Sequence, residues 1–171
     1  MKMFKDKKIK NTIIICIALI TLLELYFAYK ISKDYAGVYQ IGIFTPLIFQ
    51  PLYYKSLFSG QRTYPRLRII GAVLISFILP LIIYFNLPNY TYYEGKQIVE
   101  RYVHSSGKLI FIDISNDKDT VPVVNNPKRL FVSNREYYYG IKSTVDNKYF
   151  MVNPLTGKVV QLSKDFWLGV E

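Results

Sequence analysis

Glu24 is the side chain whose chemistry fits its surroundings least. It sits inside an otherwise apolar stretch, Thr12–Ile31, where an ionised carboxylate is expensive, so it must face protein, find a partner or keep its proton. Counted from the outer ends of three apolar segments, Gln40 and the Pro80 turn lie at a similar depth. Pro80 has no N–H and leaves the carbonyl of Ser76 without its helical donor, and a protonated Glu24 could donate to it. Glu24, Gln40, Ser76 and Pro80 therefore form either a polar clamp between helices or the start of an ion or proton site. The second reading also includes a contact to a partner's membrane helix. A transport path usually needs more than one ionisable group, which favours the clamp.

The other candidates are outside the apolar segments. Asp113-x-Ser115-x-Asp117-x-Asp119 alternates oxygens as a calcium loop does, but Lys118 stands where the loop needs glycine and Val124 where it needs a bidentate glutamate. It reads as a solvated loop. His104, the single histidine, is followed by Ser105 and Ser106 without a carboxylate or cysteine to complete a triad or a metal site. Tyr137-Tyr138-Tyr139 alternates faces on a strand, either packing across the sheet or stacking on a peptide or glycan. With Asp117 and Asp119 these tyrosines are the candidate contacts to a partner. The chain has no paired acid and base, activated nucleophile or metal set, and the expectation is a non-enzyme without a cofactor.

These residues are positioned by three apolar stretches and a polar tail. The stretches are about 12–31, 35–54 and 69–87, the last, IIGAVLISFILPLIIYFNL, carrying no charge. Each approaches the ~20 residues that a membrane crossing needs. The 12–31 stretch follows a basic start like a secretory signal, yet no small-x-small cleavage site follows, and the residues before Cys16 do not make a lipoprotein box. The 35–54 stretch, with Gly37, Gly42, Pro46 and Pro51, is the weakest, and a re-entrant loop competes with a crossing.

Charge separates the two. Residues 1–11 carry five lysines against Asp6, residues 55–68 carry Lys55, Arg62, Arg66 and Arg68 with no acid, and from Asn89 onward eleven Lys/Arg face nine Asp/Glu. Three crossings put both basic segments in the cytoplasm, as the positive-inside bias favours. A net charge of +10 distributed in this way describes membrane topology and excludes a nucleic-acid binder, whose charge covers an exposed face. The expectation is a multi-pass cell-membrane protein, N-terminus cytoplasmic and C-terminal domain extracytoplasmic. Its partners would be the lipid bilayer and a membrane or envelope protein. Tyr26, Tyr53, Tyr54 and Tyr84 fall at the expected interfaces. The abundance of Ile, Lys, Asn and Tyr fits a low-GC Gram-positive bacterium.

Residues 89–171 read as a small α+β domain. Thr91-Tyr92-Tyr93-Glu94 is a capping box, and Ile98, Val99, Tyr102 and Val103 make an apolar stripe at helical spacing, with Gly107 as the stop. Lys108–Ile114 and Glu136–Val145 predict strands, Asn116–Lys128 a polar loop, Asp146-Asn147 a two-residue hairpin turn and Lys148–Asn153 the returning strand. Asn153-Pro154-Leu155-Thr156-Gly157 predicts a second turn before Lys158–Leu162. Phe166-Trp167-Leu168 either closes the core or enters the membrane interface.

The helix, strand and meander ending in KYFMVNPLTGKVVQL resemble the PepSY family of extracytoplasmic domains, chiefly over Tyr149–Val160. The resemblance implies one helix on an antiparallel sheet and a domain that binds or restrains a peptidase or envelope enzyme without catalysis of its own. The helix lacks that family's alanine-rich pattern, and Asn116–Lys128 stands as an insertion.

Overall fold

The computed structural model describes residues 7–58, 67, 70–71, 74–103, 109–114, 118–124, 129–143 and 146–169. The chain divides into a helical unit, Met1–Lys30 with Ile41–Phe85, and a sheet unit, Ile31–Gln40 with Asn86–Glu171. The expected boundary at residue 89 is thus crossed by a ten-residue piece, Ile31–Gln40, that takes in the end of the first apolar stretch and the start of the second.

Helix α1, Lys7–Asp34, is turned inside out relative to a water-soluble helix. Ile15, Leu19, Leu22, Leu23 and Tyr26 are all more than half exposed, while Thr21 and Glu24 are buried. In water that arrangement forfeits about 25 cal/mol for each Å² of apolar surface left outside. In a bilayer it is the favourable one. Its Ile14–Asp34 stretch is the one helix among the described residues long and apolar enough to cross a membrane. Thr21 Oγ1 donates to Ile17 O at 3.0 Å, so its hydroxyl is satisfied within the helix.

The expected helix over Tyr35–Tyr54 does not form as one element. Ala36 and Gly37 both take left-handed φ, 44° and 75°, and turn the chain out of α1. Val38 and Tyr39 then join the sheet unit, and a short 3₁₀ turn, Ile41–Phe44, precedes α2, Thr45–Phe58. Pro46 stands at the start of α2, where its missing N–H costs nothing. At ~1.5 Å per residue α2 covers roughly 21 Å, less than a hydrocarbon core of about 30 Å. Of the 69–87 stretch, a π-turn at Leu74–Ile78 runs into α3, Leu79–Phe85. Pro80 cannot donate back to Ser76, and a widened turn just before a proline absorbs that lost bond. One helix, rather than three, therefore meets the requirements of a full crossing among the described residues.

The sheet unit holds α4, Tyr92–Val103, and four antiparallel strands in the order β1 (Thr120–Pro122), β2 (Arg135–Ile141), β3 (Lys148–Val152) and β4 (Val159–Leu162). The capping box closes as expected: Thr91 N donates to Glu94 Oε2 at 2.7 Å and Glu94 N to Thr91 Oγ1 at 3.2 Å. Val99 is fully buried, with Ile98 and Val103 packed beside it, while Tyr102 is half exposed. Gly95 is buried against Tyr139, and the position suits glycine because a Cβ there would strike the Tyr139 hydroxyl.

One core cluster joins Val38, Val99, Tyr137, Tyr139, Ile141, Phe150 and Val152. Val38 comes from the connection after α1. It is held by backbone pairing: Gln40 N donates to Phe131 O at 2.8 Å, and Ser133 N and Oγ both donate to Val38 O, at 2.9 and 2.6 Å. Tyr39 and Val132 form an antiparallel bridge.

Three local expectations shift. Strand β1 forms within the expected polar loop, with Pro122 at its end on the sheet edge, where a missing donor is tolerated. The described part of Lys108–Ile114 makes one bridge, Phe111 to Ile141, instead of a strand. The β2–β3 hairpin closes at Ile141 and Lys148, so residues 142–147 connect it and Asp146-Asn147 is not a two-residue turn. The second turn forms as read, with Asn153 Oδ1 accepting from Leu155 N and Thr156 N at 3.0 Å each, and Gly157 at φ 69°. Gly107, His104, Ser105 and Ser106 lie outside the described residues.

Candidate functional site

Within the helical unit the polar residues converge. Glu24 of α1, Gln50 and Tyr54 of α2 and Ser76 of the π-turn are all buried. Gln50 and Tyr54 are four apart and share one face of α2. Gln50 Nε2 donates to Tyr54 Oη at 2.6 Å and to Ser76 Oγ at 2.8 Å, and it lies 3.5 Å from Glu24 Oε1. An amide nitrogen has two hydrogens, so the short contacts use both and the contact to Glu24 is the weak one. The Tyr54 and Ser76 hydroxyls also bond each other. Glu24 Oε2 and Gln50 Oε1 have no hydrogen-bond partner among the described residues. A proton on Glu24 supplies a donor to a cluster otherwise rich in acceptors.

Two of the four residues expected at this site, Glu24 and Ser76, are brought together, and the other two play different parts. Gln40 is exposed, and its backbone N–H bonds Phe131 in the sheet unit. The glutamine of the cluster is Gln50, because the second helix begins at Thr45 instead of Tyr35 and depth counted from Tyr35 picks the wrong residue. Pro80 is half-buried in the first turn of α3. Ser76 contributes its hydroxyl, where its carbonyl was expected. Tyr54, expected as an interfacial anchor, is buried in the cluster, whereas Tyr26 and Tyr84 are exposed as anchors should be. The Gln50/Tyr54 spacing was the available signal.

In the sheet unit the expected partner contacts turn inward. Tyr137, Tyr138 and Tyr139 are 0%, 1% and 1% exposed, because β2 is an interior strand covered on both faces. Tyr137 Oη donates to Tyr90 O at 2.9 Å and Tyr139 Oη to Tyr92 O at 2.7 Å, tying the start of α4 to one face. Tyr138 points the other way, stacks on Tyr149 with ring centroids 6.0 Å apart and donates to Asp165 Oδ1 at 2.5 Å. The Trp167 indole N–H reaches Lys118 O at 3.2 Å, so the Phe166-Trp167 end covers this second face. Burial pushes the ionisation of all three hydroxyls upward and keeps them neutral donors; for Tyr138, donation to Asp165 adds to it. Asp119 Oδ1 accepts from Tyr92 Oη at 2.9 Å, and burial followed by the Asp119 charge raises Tyr92 likewise. Asp119 is therefore a structural tie, and Asp117 lies outside the described residues.

An open groove of about 620 Å³ runs between α4 and the start of β4, lined by Tyr90, Ile98, Arg101, Tyr102, Thr156 and Val159. Its arrangement offers a cation, aromatic faces and an adjacent sheet edge. Comparison with protein-family models, with curated proteins and with solved structures finds no match for this chain.

Proposed function

We propose that this chain is a non-enzymatic, membrane-anchored accessory protein whose sheet unit binds an envelope enzyme or transporter on the outer surface. The observation that carries the reading is Val38. The chain leaves α1 directly into the core of the sheet unit and re-enters that unit at Asn86, so this unit is tethered at two points to apolar helices. A domain tethered twice at a membrane reaches only partners at or near that membrane. Three crossings are compatible with this tethering, since a pair of spans between Gln40 and Asn86 would return the chain to the side it left. The basic residues of 1–11 and 55–68 then share the cytoplasmic side. A helix on an antiparallel sheet with an Asn-Pro-Leu-Thr-Gly turn supports a PepSY-like assignment for the domain.

A second reading is favoured by the Glu24–Gln50–Tyr54–Ser76 cluster, which suits a membrane-embedded immunity or transport component acting through its helices. Affinity purification from native membranes separates the two. The tagged full chain should retain a membrane or envelope protein that a chain ending at Pro88 loses. Retention of that partner by the truncated chain sinks the accessory reading.

A further inference from the structure

We infer that the outer edge of β4 and the groove beside α4 take an extended, acidic peptide segment as a fifth strand; this rests on the accessory reading above and specifies its docking device. Strand β4 ends the sheet and has β3 as its one strand neighbour among the described residues. Asn153 N donates to Lys158 O at 3.0 Å, so that opposed pair is a hydrogen-bonded one. Antiparallel pairs alternate, which gives Val160 and Leu162 to β3 and turns the N–H and C=O of Val159 and Gln161 outward. Those groups are a template for another strand.

The side-chain geometry suits the same occupant. Val159 and Gln161 lie opposite Val152 and Phe150, two residues of the core that packs against α4, so they share the α4 face of the sheet. Alternate side chains of an added strand on that face fall into the groove beside Ile98 and Tyr102. Arg101 also lines it, with Nε donating only to Gln97 O of its own helix turn at 3.3 Å and no carboxylate partner among the described residues. A guanidinium with no carboxylate partner among the described residues, next to a strand edge that no described strand pairs with, selects an extended segment with an acidic side chain at a groove-facing position.

The test uses the full chain in nanodiscs and a fluorescent, end-blocked octapeptide of alternating valine and threonine with one central glutamate. Saturable binding at roughly millimolar concentration or tighter is expected. Arg101→Glu should weaken it about tenfold, an exposed attraction being replaced by repulsion, and lysine in place of the peptide glutamate should restore it. N-methylation of the peptide amides on one edge should abolish binding, and on the other edge should not. Because the methyl groups are on the peptide, this arm does not depend on a variant folding. Absence of binding, or binding indifferent to both Arg101→Glu and N-methylation, overturns the inference. So does a dimer of the free chain dispersed by Gln161→Pro, which makes a second copy the occupant. If Arg101→Glu and Gln161→Pro keep the native partner while truncation at Pro88 loses it, the groove fails and the accessory reading survives.

Discussion

Val38→Ala tests whether the connection after α1 is structurally part of the C-terminal domain. Val38 is 0% exposed and belongs to the same core cluster as Val99 and Tyr139. Removing two buried methyl groups loses their transfer free energy and leaves a small cavity, about 2–3 kcal/mol together. The sheet unit comprises some 96 residues, for which total stability is ~5–14 kcal/mol, so the loss is a large fraction. For a domain of this size about 1 kcal/mol moves the midpoint by ~4–8 °C, and the fall should be roughly 10–20 °C. Trp167, the single tryptophan, lies on the far face of the sheet and its indole N–H donates to Lys118 O, so its fluorescence reports unfolding of this unit. Val38→Asp should abolish the transition, since a buried unpaired carboxylate adds several kcal/mol to the lost packing. A Trp167 melt unmoved by Val38→Ala would refute the placement of Val38 and return Tyr35–Gln40 to a plain membrane segment.

Two further outcomes follow from the buried hydroxyls and amides. Gln50→Leu should lower the stability of the full chain in detergent by about 1–3 kcal/mol, because it removes two short hydrogen bonds at once; Glu24→Gln, which meets Gln50 at 3.5 Å, should change it by under about 1 kcal/mol. Equal losses in thermal melts would contradict that ranking, and a stable Glu24→Gln chain that fails in the cell would support proton or ion handling. The second outcome is pH dependence: burial raises Tyr137 and Tyr139 above the ordinary 10.0 in the folded state. Below pH 10 both states are neutral and stability is intact; above it the unfolded chain ionises first, and stability should fall about 1.4 kcal/mol per pH unit for each tyrosine. Denaturant midpoints followed by Trp167 that stay level to about pH 11.5 would show that these hydroxyls are accessible to ionisation in the fold.

The elements that were legible in the sequence are those closed by near neighbours. Thr91 and Glu94 satisfy each other across three residues, and Asn153 caps its own turn, so residue type alone specifies both. The elements that were not legible depend on distant contacts. Val38 is apolar and β-branched, as suitable for a bilayer as for a core, and contacts far along the chain, among them Ser133, 95 residues away, decide for the core. Strand β1 carries Thr120, Val121 and Pro122 in a polar setting, and it exists because β2 offers an edge to pair with.

The misplacement of the polar cluster and the misplacement of the partner surface have related causes. An error in where a helix starts moves every residue counted from that start: depth counted from Tyr35 arrives at Gln40, whereas the helix that begins at Thr45 presents Gln50. Strand order acts on surfaces in the same way. A tyrosine run reads as an exposed recognition face when its strand is taken for an edge, and as core once β1 and β3 flank it. Composition does not reveal which strand ends a sheet. Once β4 is known to be the last, ordinary residues such as Val159 and Gln161 gain a recognition role through their outward backbone groups, and Arg101 supplies the charge that gives the edge a preference.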